Sequence, residues 1–526
     1  MTLSKFQQVS EAPTHPSPQK GERSFDVADL YRGPVAQETP QSTGALPLDE
    51  KLRQAYFWIT NQAIISPFYD VEYNDGPPQV FTFGDQKAQL TLPSDQSYSS
   101  YVLLPLLNLA VRRRCLLVGG PGRGKTAIAI LMGVLSGYTL LDIKRAIQHG
   151  QPQMTIADLL GNPLPSTLVN AKSMDEVTIA WRRWLGMRLK IIDEYNRIPT
   201  RTQSALLTVM ADNYAEIYDQ VFECPDAAWY LTANDDAGGG TYQVIEALSD
   251  RIDVVVKALH FNTRFLNDLL LRIEEGVRPE EIVPPQIIFS AEELDRIEKE
   301  ILAVEFPHEL RRRLEFFASH FEFFEPAARQ VEYMTKDTVK LSGIDFSSFS
   351  AEETGKDAVA DLGSQSRNGL SVRALMTSLV FIKAMAYFRG AKKVIFEDIR
   401  QILPFVLHDK LVQNPDSPYF EQAGNGSLRA DHVSWIRNLF DESSKEYDRL
   451  NLDRDDPIAK CGDAFEQGLD GVTEKEVRKR LAEIERTFKR MAKGKKFYGH
   501  MFDDLLKLKY YHQRYTNYLR WLKWSS

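Results

Sequence analysis

The chain has 526 residues, of which 43% are hydrophobic and 26% charged, and a formal net charge of −8. This is the composition of a soluble globular protein of two to four domains, and the negative balance excludes a global field drawing it to nucleic acid or to an anionic membrane, leaving only local patches for such a role. Three widely spaced cysteines, Cys115, Cys224 and Cys461, and nine scattered histidines exclude a zinc ribbon, a redox pair and a His-Glu zinc helix, so reduced thiols in a cytoplasmic setting are expected.

Residues 1–50 are rich in Pro, Gln, Ser and Thr up to about Leu46 and carry few large apolar groups, which makes them a disordered or extended arm. They lack the apolar core of a secretion signal. Residues 51–98 form a further N-terminal segment, within which "VFTFGDQKAQLTL" alternates on both sides of a Gly-Asp turn and predicts a β-hairpin. The longest apolar run, beginning at Tyr101, is interrupted by Pro105 and falls far short of the about 20 residues a membrane span needs.

Residues 99–261 alternate short apolar strands with helical stripes, the pattern of an open parallel α/β sheet. The strand-like "CLLV" runs into "GGPGRGKT", and Ile128, Leu131, Val134 and Leu135 then fall on one face of a helix. Strand, glycine loop and helix, with Gly119, Gly124, Lys125 and Thr126 at the fixed positions, make a phosphate-binding loop in which Gly120, Pro121, Gly122, Arg123 and Ala127 complete the cradle. Glycines let successive N–H groups point inward at phosphate oxygens, and the helix adds the positive end of its dipole. Lys125 would reach the outer phosphates of ATP and the Thr126 hydroxyl would ligate Mg²⁺.

"LKIIDEYNR" ends a second apolar strand in two carboxylates, 68 residues after Lys125. At the carboxyl end of a parallel strand, Asp193 would hold Mg²⁺ through water and Glu194 would orient or deprotonate the attacking water. A third strand, "WYLTAN", delivers Asn234, able to position that water or to sense the terminal phosphate. Arg251 follows at an element end and Arg373 at a helix start; alone, each would be an ordinary exposed charge.

Residues 262–412 read as helical, with a polar, glycine-punctuated insertion around 325–366. Ser290 and Glu293 form a capping-box pattern at the start of one helix, and Gly390 ends another. Residues 413–526 form a helical C-terminal extension, first acidic and then basic. Residues 471–526 carry 15 Lys and Arg against 6 Asp and Glu, with ten aromatic residues interleaved, among them Tyr510, Tyr511, Tyr515, Tyr518, Trp521 and Trp524. Such a mixture suits helix packing or protein docking better than stacking on nucleic acid, which stays open.

Five segments carry a resemblance to the MoxR family of AAA+ ATPases: "GGPGRGKT", "QMTIADLLG", "IIDEYNRIPTRTQSALLTVMADNYAEI", "LTANDDAGGGTYQVIEALSDRID" and "GLSVRALMTSLVFIKAMAYFRGAKKVIFEDI". The resemblance implies an AAA+ P-loop core with a parallel sheet, an α-helical lid and a ring, usually a hexamer. It makes Asn234 sensor 1, Arg251 a finger reaching the neighbouring subunit's nucleotide, and Arg373 the sensor 2 arginine. It also implies that "AEIYDQVFECP" is the hairpin before sensor 1, facing a central pore, and that the partner is a protein client or a von Willebrand factor A domain. "NDDAGGG" and "SVRAL" depart from the family's usual wording. The expected function is a Mg²⁺- and ATP-dependent ring ATPase that remodels or assembles proteins. A nucleic-acid-dependent motor or defence ATPase and an ATP-binding scaffold with little turnover are the alternatives.

Overall fold

The computed structural model describes residues 46–63, 68–85, 88–170, 176–234, 250–258, 266–274, 278–323, 335–343, 361–494 and 499–525, together with Leu248 and Gly276. Of the disordered or extended arm expected over residues 1–50, residues 1–45 lie outside the described residues and Leu48 to Glu50 instead open a helix; most of the insertion around 325–366 and the "DDAGGG" stretch also lie outside the described residues.

The first strands form a unit that is buried at its base, where Val71 and Tyr98 pack inward, and exposed at its tip. β1 (Val71–Glu72) and β4 (Ser97–Tyr98) pair antiparallel at the base of a hairpin made by β2 (Gln79–Phe83) and β3 (Ala88–Leu92). All ten residues of β2 and β3 are exposed. The register sets Phe81 opposite Leu90 and Phe83 opposite Ala88, with Leu92 opposite Gln79, so side-chain alternation collects Phe81, Phe83, Leu90 and Leu92 on one face. The predicted hairpin is therefore present, but its apolar face covers nothing among the described residues. β2 ends just before the Gly84-Asp85 pair that the sequence marks as the turn.

The core sheet is built from β5 (Arg114–Val118), β6 (Gln148–His149), β9 (Leu189–Asp193), β12 (Ala228–Ala233) and β13 (Val254–Lys257), all parallel, in the order β13-β5-β12-β9-β6. Two short hairpins, β7 (Gly161–Pro163) with β8 (Ile179–Trp181) and β10 (Tyr214–Ile217) with β11 (Gln220–Glu223), lie outside it. A parallel sheet is covered on both faces, so its strands read as continuous apolar runs; β12, "AWYLTA", is buried along its whole length. The helix Ser100–Val111 is buried at all twelve positions. Its Asn108 donates to the carbonyl of Trp229 at 3.0 Å, and Pro105 accepts from the Tyr230 hydroxyl at 2.8 Å.

One core residue runs against expectation. Lys190, mid-strand in β9 and 1% exposed, donates to the carbonyls of Leu185 at 2.8 Å and Met187 at 2.7 Å, with its ammonium over the Trp184 and Trp229 rings. The carbonyls that end the 3₁₀ turn Arg183–Gly186 would otherwise be buried without donors, which makes a buried cation tolerable there. Burial pulls its pKa down to about 8.

The lid contains the helices Ala291–Ala303, His308–Ser319, Val372–Phe388 and Phe396–Leu407. The capping box forms as the sequence predicts, with Glu293 N–H donating to Ser290 Oγ at 3.2 Å and Ser290 N–H to Glu293 Oε2 at 2.8 Å. Gly390 takes a φ of 74°, where a side chain would be strained. The N-terminal helix Leu48–Trp58 belongs to this layer: Tyr56 meets Phe388 edge-on at 5.5 Å and Arg53 donates to the Phe388 carbonyl at 2.8 Å.

The C-terminal helices Pro457–Glu466, Glu474–Met491 and Gly499–Ser525 enclose their own small core of Ile458, Val477, Ile484, Leu508, Tyr511 and Tyr515. Tyr510, Trp521 and Trp524 remain exposed. This unit is tied to the lid by Arg312, which pairs with Asp456 at 2.7 Å and Asp504 at 3.5 Å. Beside it the Asp503 carboxyl is pushed up to about 7 by burial, with Glu322 and Asp504 adding to the shift. A carboxyl raised in the folded state contributes stability at low pH that is lost as pH climbs from its unfolded value of 3.8 toward 7. Asp503→Asn therefore raises the thermal midpoint by a few degrees at pH 8 and by less at pH 5, as measured by calorimetry across that range.

Candidate functional site

The carboxyl ends of β5, β9 and β12 converge on one patch, and the loop after β5 lies over it. The loop's shape is forced at its first residue: Gly119 has a φ of 156°, and a Cβ there would sit 2.8 Å from the Ala258 carbonyl oxygen. Gly122 and Gly124 take φ values of 73° and 74°, the left-handed turns that reverse the chain before the helix Lys125–Leu135 begins. Tyr101 donates from its hydroxyl to the Arg123 carbonyl at 3.0 Å, and the Arg123 guanidinium donates to the Ala258 carbonyl at 2.9 Å, so both sides of the loop are fixed.

Lys125 is 7% exposed and turns back into the loop, donating to the carbonyls of Gly119 at 2.5 Å and Gly120 at 2.8 Å and to Asn234 Oδ1 at 3.0 Å. Asn234 in turn donates through Nδ2 to Glu194 Oε1 at 3.0 Å. Thr126 donates to Asp193 Oδ1 at 2.8 Å. The two strand-end carboxylates, the loop lysine and threonine, and the asparagine of the third strand thus form one connected network from three separate parts of the sequence.

Four further residues complete it, and residue patterns did not single them out. Thr232, fully buried, donates to Asp193 Oδ1 at 2.6 Å and accepts from the Glu194 N–H at 2.9 Å. It lies two residues before Asn234, on the same face of the strand, and that alternation was the available signal. His149, opposite Asp193 in the β6–β9 register, places Nδ1 3.3 Å from Asp193 Oδ2. Gly150 donates to the Asp193 carbonyl at 2.7 Å, and a Cβ on it would fall 2.2 Å from the Glu194 carbonyl oxygen. Arg197 lies 3.3 Å from Glu194 Oε2. Glu194 itself has a φ of 53°, a strained setting for a glutamate that these contacts hold.

The two arginines lie elsewhere. Arg251 stands in the turn before β13, half-buried, and Arg373 is at the first turn of the lid helix Val372–Phe388, where it pairs with Asp250. The structure thus sets Arg373 beside the Arg251 turn, and its ion-pair partner is not the loop of Lys125.

Residues 114–254 match the sequence profile of the ATPases associated with various cellular activities, and residues 363–424 match that of the AAA lid domain. The chaperone MoxR1 of Mycobacterium tuberculosis is 24% identical over 315 residues, which span 59% of this chain and 71% of that one. Residues 114–254 and 363–424 thus match an AAA ATPase core and an AAA lid, and through MoxR1 the chain is similar to the MoxR chaperones. A solved crystal structure of a candidate ATPase from Cytophaga hutchinsonii aligns over 64% of this chain and 89% of that one at 19% identity, with a TM-score of 0.43.

The residues present also fit a magnesium ion. Mg²⁺ takes hard oxygen ligands and keeps several waters, needing only one or two protein groups beside phosphate. Thr126 Oγ1 and Asp193 Oδ1, 2.8 Å apart at the mouth of the loop, are such a pair. Among the described residues no group of three or more His, Cys, Asp or Glu forms an alternative metal site.

In this site, Thr232→Val keeps the buried volume but removes both the donor to Asp193 and the acceptor for Glu194 N–H. Turnover should fall about tenfold or more, because Asp193 and Glu194 each lose a hydrogen bond that fixes their position. Affinity for a fluorescent ATP analogue should change by less than about threefold. Wild-type turnover in this variant would show that Glu194 is held without Thr232.

Proposed function

We propose that the protein is a Mg²⁺-dependent ATP hydrolase that works as a ring, most simply a hexamer, and uses the energy to remodel or assemble partner proteins. The observation that carries this reading is the unbroken chain of hydrogen bonds Lys125–Asn234–Glu194, because it links the group that would bind the terminal phosphate to the group that would take the water's proton. ATP phosphate oxygens would replace the Gly119 and Gly120 carbonyls as acceptors for Lys125. Glu194 would accept the proton as water attacks the terminal phosphorus and ADP leaves. Mg²⁺, held by Thr126 and through water by Asp193, would neutralise charge on the phosphates. Asn234, bonded to both Lys125 and Glu194, would register whether the terminal phosphate is present.

Among the described residues, the arginines of this network are Arg123 in the loop and Arg197 beside Glu194, and Arg251 and Arg373 stand outside it. Arg251 would be supplied to the next subunit, as the family resemblance implies, and a transferring phosphoryl group gains most from a cation delivered there. The protein-partner reading draws support from two exposed apolar surfaces, the hairpin face of Phe81, Phe83, Leu90 and Leu92 and the helix end bearing Trp521 and Trp524. A von Willebrand factor A domain is the partner class the family suggests. The burial of Tyr511 and Tyr515 in the C-terminal core takes away stacking surface that the nucleic-acid reading would use.

Two experiments test the reading. Arg251→Ala should abolish hydrolysis with ATP affinity near normal, and mixing it with Lys125→Ala protein should restore activity at junctions where an intact loop faces an intact finger. A strictly monomeric protein hydrolysing Mg-ATP at full rate would overturn the shared site. Glu194→Gln should retain ATP and, in pulldowns, hold a protein that Lys125→Ala does not hold. Retention of nucleic acid alone would instead favour the motor.

A further inference from the structure

The segment from Asp250 to Asp253 carries Arg251 between two carboxylates, and both carboxylates are held by the lid. Asp253 is 1% exposed. On its sheet side, Oδ2 accepts from the Arg114 backbone N–H at 3.0 Å and from Arg114 Nη1 at 3.4 Å, at the start of the strand that carries the phosphate loop at its other end. On its lid side, Oδ1 accepts from the Thr377 hydroxyl at 2.6 Å, and Thr377 is 4% exposed. Asp250 receives three lid groups: its carboxylate takes Arg373 and, at 3.4 Å, the Ser371 hydroxyl, and its backbone carbonyl takes Lys410 Nζ at 2.9 Å. Ser371, Arg373 and Thr377 belong to the cap and first two turns of one helix.

We propose that Thr377 and Asp250 are positioning residues through which the lid of each subunit sets the Arg251 turn that it presents to its neighbour. The proposal rests on the reading of Arg251 as a group supplied to the next subunit's nucleotide. The two contacts differ in strength, and the difference assigns their parts. The Thr377–Asp253 bond is buried and charge-assisted, so breaking it leaves a buried carboxylate oxygen without its donor. The Arg373–Asp250 pair is 44% and 38% exposed on its two sides and is screened by water, so it is the weaker contact. Thr377 acts as the fixed pin of the turn and Asp250 as the contact that can release. A lid that shifts with the nucleotide of its own subunit would carry the first turns of the helix Val372–Phe388 with it, and the turn on either side of Arg251 would follow. The finger offered to one neighbour would thereby depend on the nucleotide bound on the other side.

The test sorts variants by which half of the shared site they damage. Thr377→Val and, separately, Asp250→Ala are expected to lower kcat about tenfold or more, with KM for ATP changed by less than about threefold. Mixed with Lys125→Ala protein, which keeps an intact finger, each should regain activity; mixed with Arg251→Ala protein, neither should. Thr377→Ser, which keeps the hydroxyl, should restore the turnover lost in Thr377→Val. Binding of a fluorescent ATP analogue shows that each variant is folded, and Asp250→Ala, at a half-buried position, serves if Thr377→Val does not fold. Wild-type kcat in Asp250→Ala, or rescue of Arg251→Ala by Lys125→Ala without rescue of the lid variants, would overturn the proposal. Failure of the Arg251→Ala and Lys125→Ala pair as well would bring down the shared-site reading beneath it.

Discussion

Asp193 accepts hydrogen bonds from Thr126 and Thr232 through a single oxygen, at 2.8 and 2.6 Å, while its backbone carbonyl takes the Gly150 N–H at 2.7 Å. That carboxylate ties the phosphate-loop helix, two neighbouring strands and the edge strand to one point. It can do so because the parallel sheet ends there: the strands are buried along their lengths, and polar groups are affordable where the strands emerge. Thr232 is completely buried and, like Lys190 in β9, is tolerated because its hydrogen-bonding groups are satisfied, here both by the strand-end pair. The position of Glu194 follows from the same knot. Its left-handed φ is held by the bond from its own N–H to Thr232 and by the packing of Gly150 against its carbonyl.

The parts of the site that were legible in the sequence are those whose residue type and spacing are set by local backbone chemistry. A loop that must curl around phosphate needs glycines at fixed offsets, and a lysine and threonine then open the helix; this pattern has no tertiary dependence. The strand ending in Asp193 and Glu194 could be read for the same reason. His149 and Gly150 could not, because their roles come from register. His149 faces Asp193 only because β6 pairs with β9 at that pair of residues, and a two-residue strand leaves no periodicity to detect. Lys190 was hidden by the opposite effect: an isolated lysine in an apolar strand resembles an edge residue until the carbonyls of a neighbouring 3₁₀ turn are seen to surround it.

The hairpin and the C-terminal helices show how far composition reaches. Alternation around Gly84 announced two strands correctly, yet it carried no information on whether the apolar face would be covered, because that depends on what the rest of the chain brings near. In the tail, aromatic content was visible but its division was not. Tyr511 and Tyr515 fall at i and i+4 on the face that meets the helices Pro457–Glu466 and Glu474–Met491, whereas Trp521, between Leu519 and Leu522 that still pack on that core, is exposed off that face, as is Trp524. Stacking residues and packing residues share a vocabulary, and only helix phase separates them.

The lid helix Val372–Phe388 is the element whose position decides how these parts act together. It packs against the helix beneath the sheet, against Tyr56 of the N-terminal helix through Phe388, and against the Arg251 turn through Ser371, Arg373 and Thr377. A rigid helix held at both ends cannot move one contact and keep the others fixed. Its far end sits on aromatic packing, where Tyr56, Tyr98 and Phe388 meet edge-on at 5.2 to 5.5 Å, and its near end sits on hydrogen bonds to two carboxylates. Apolar packing tolerates a small rotation at little cost, because ring contacts are numerous and individually weak. A charge-assisted hydrogen bond tolerates much less, since it weakens steeply with angle. A lid rotation would therefore pivot about the aromatic end and be felt at the arginine turn.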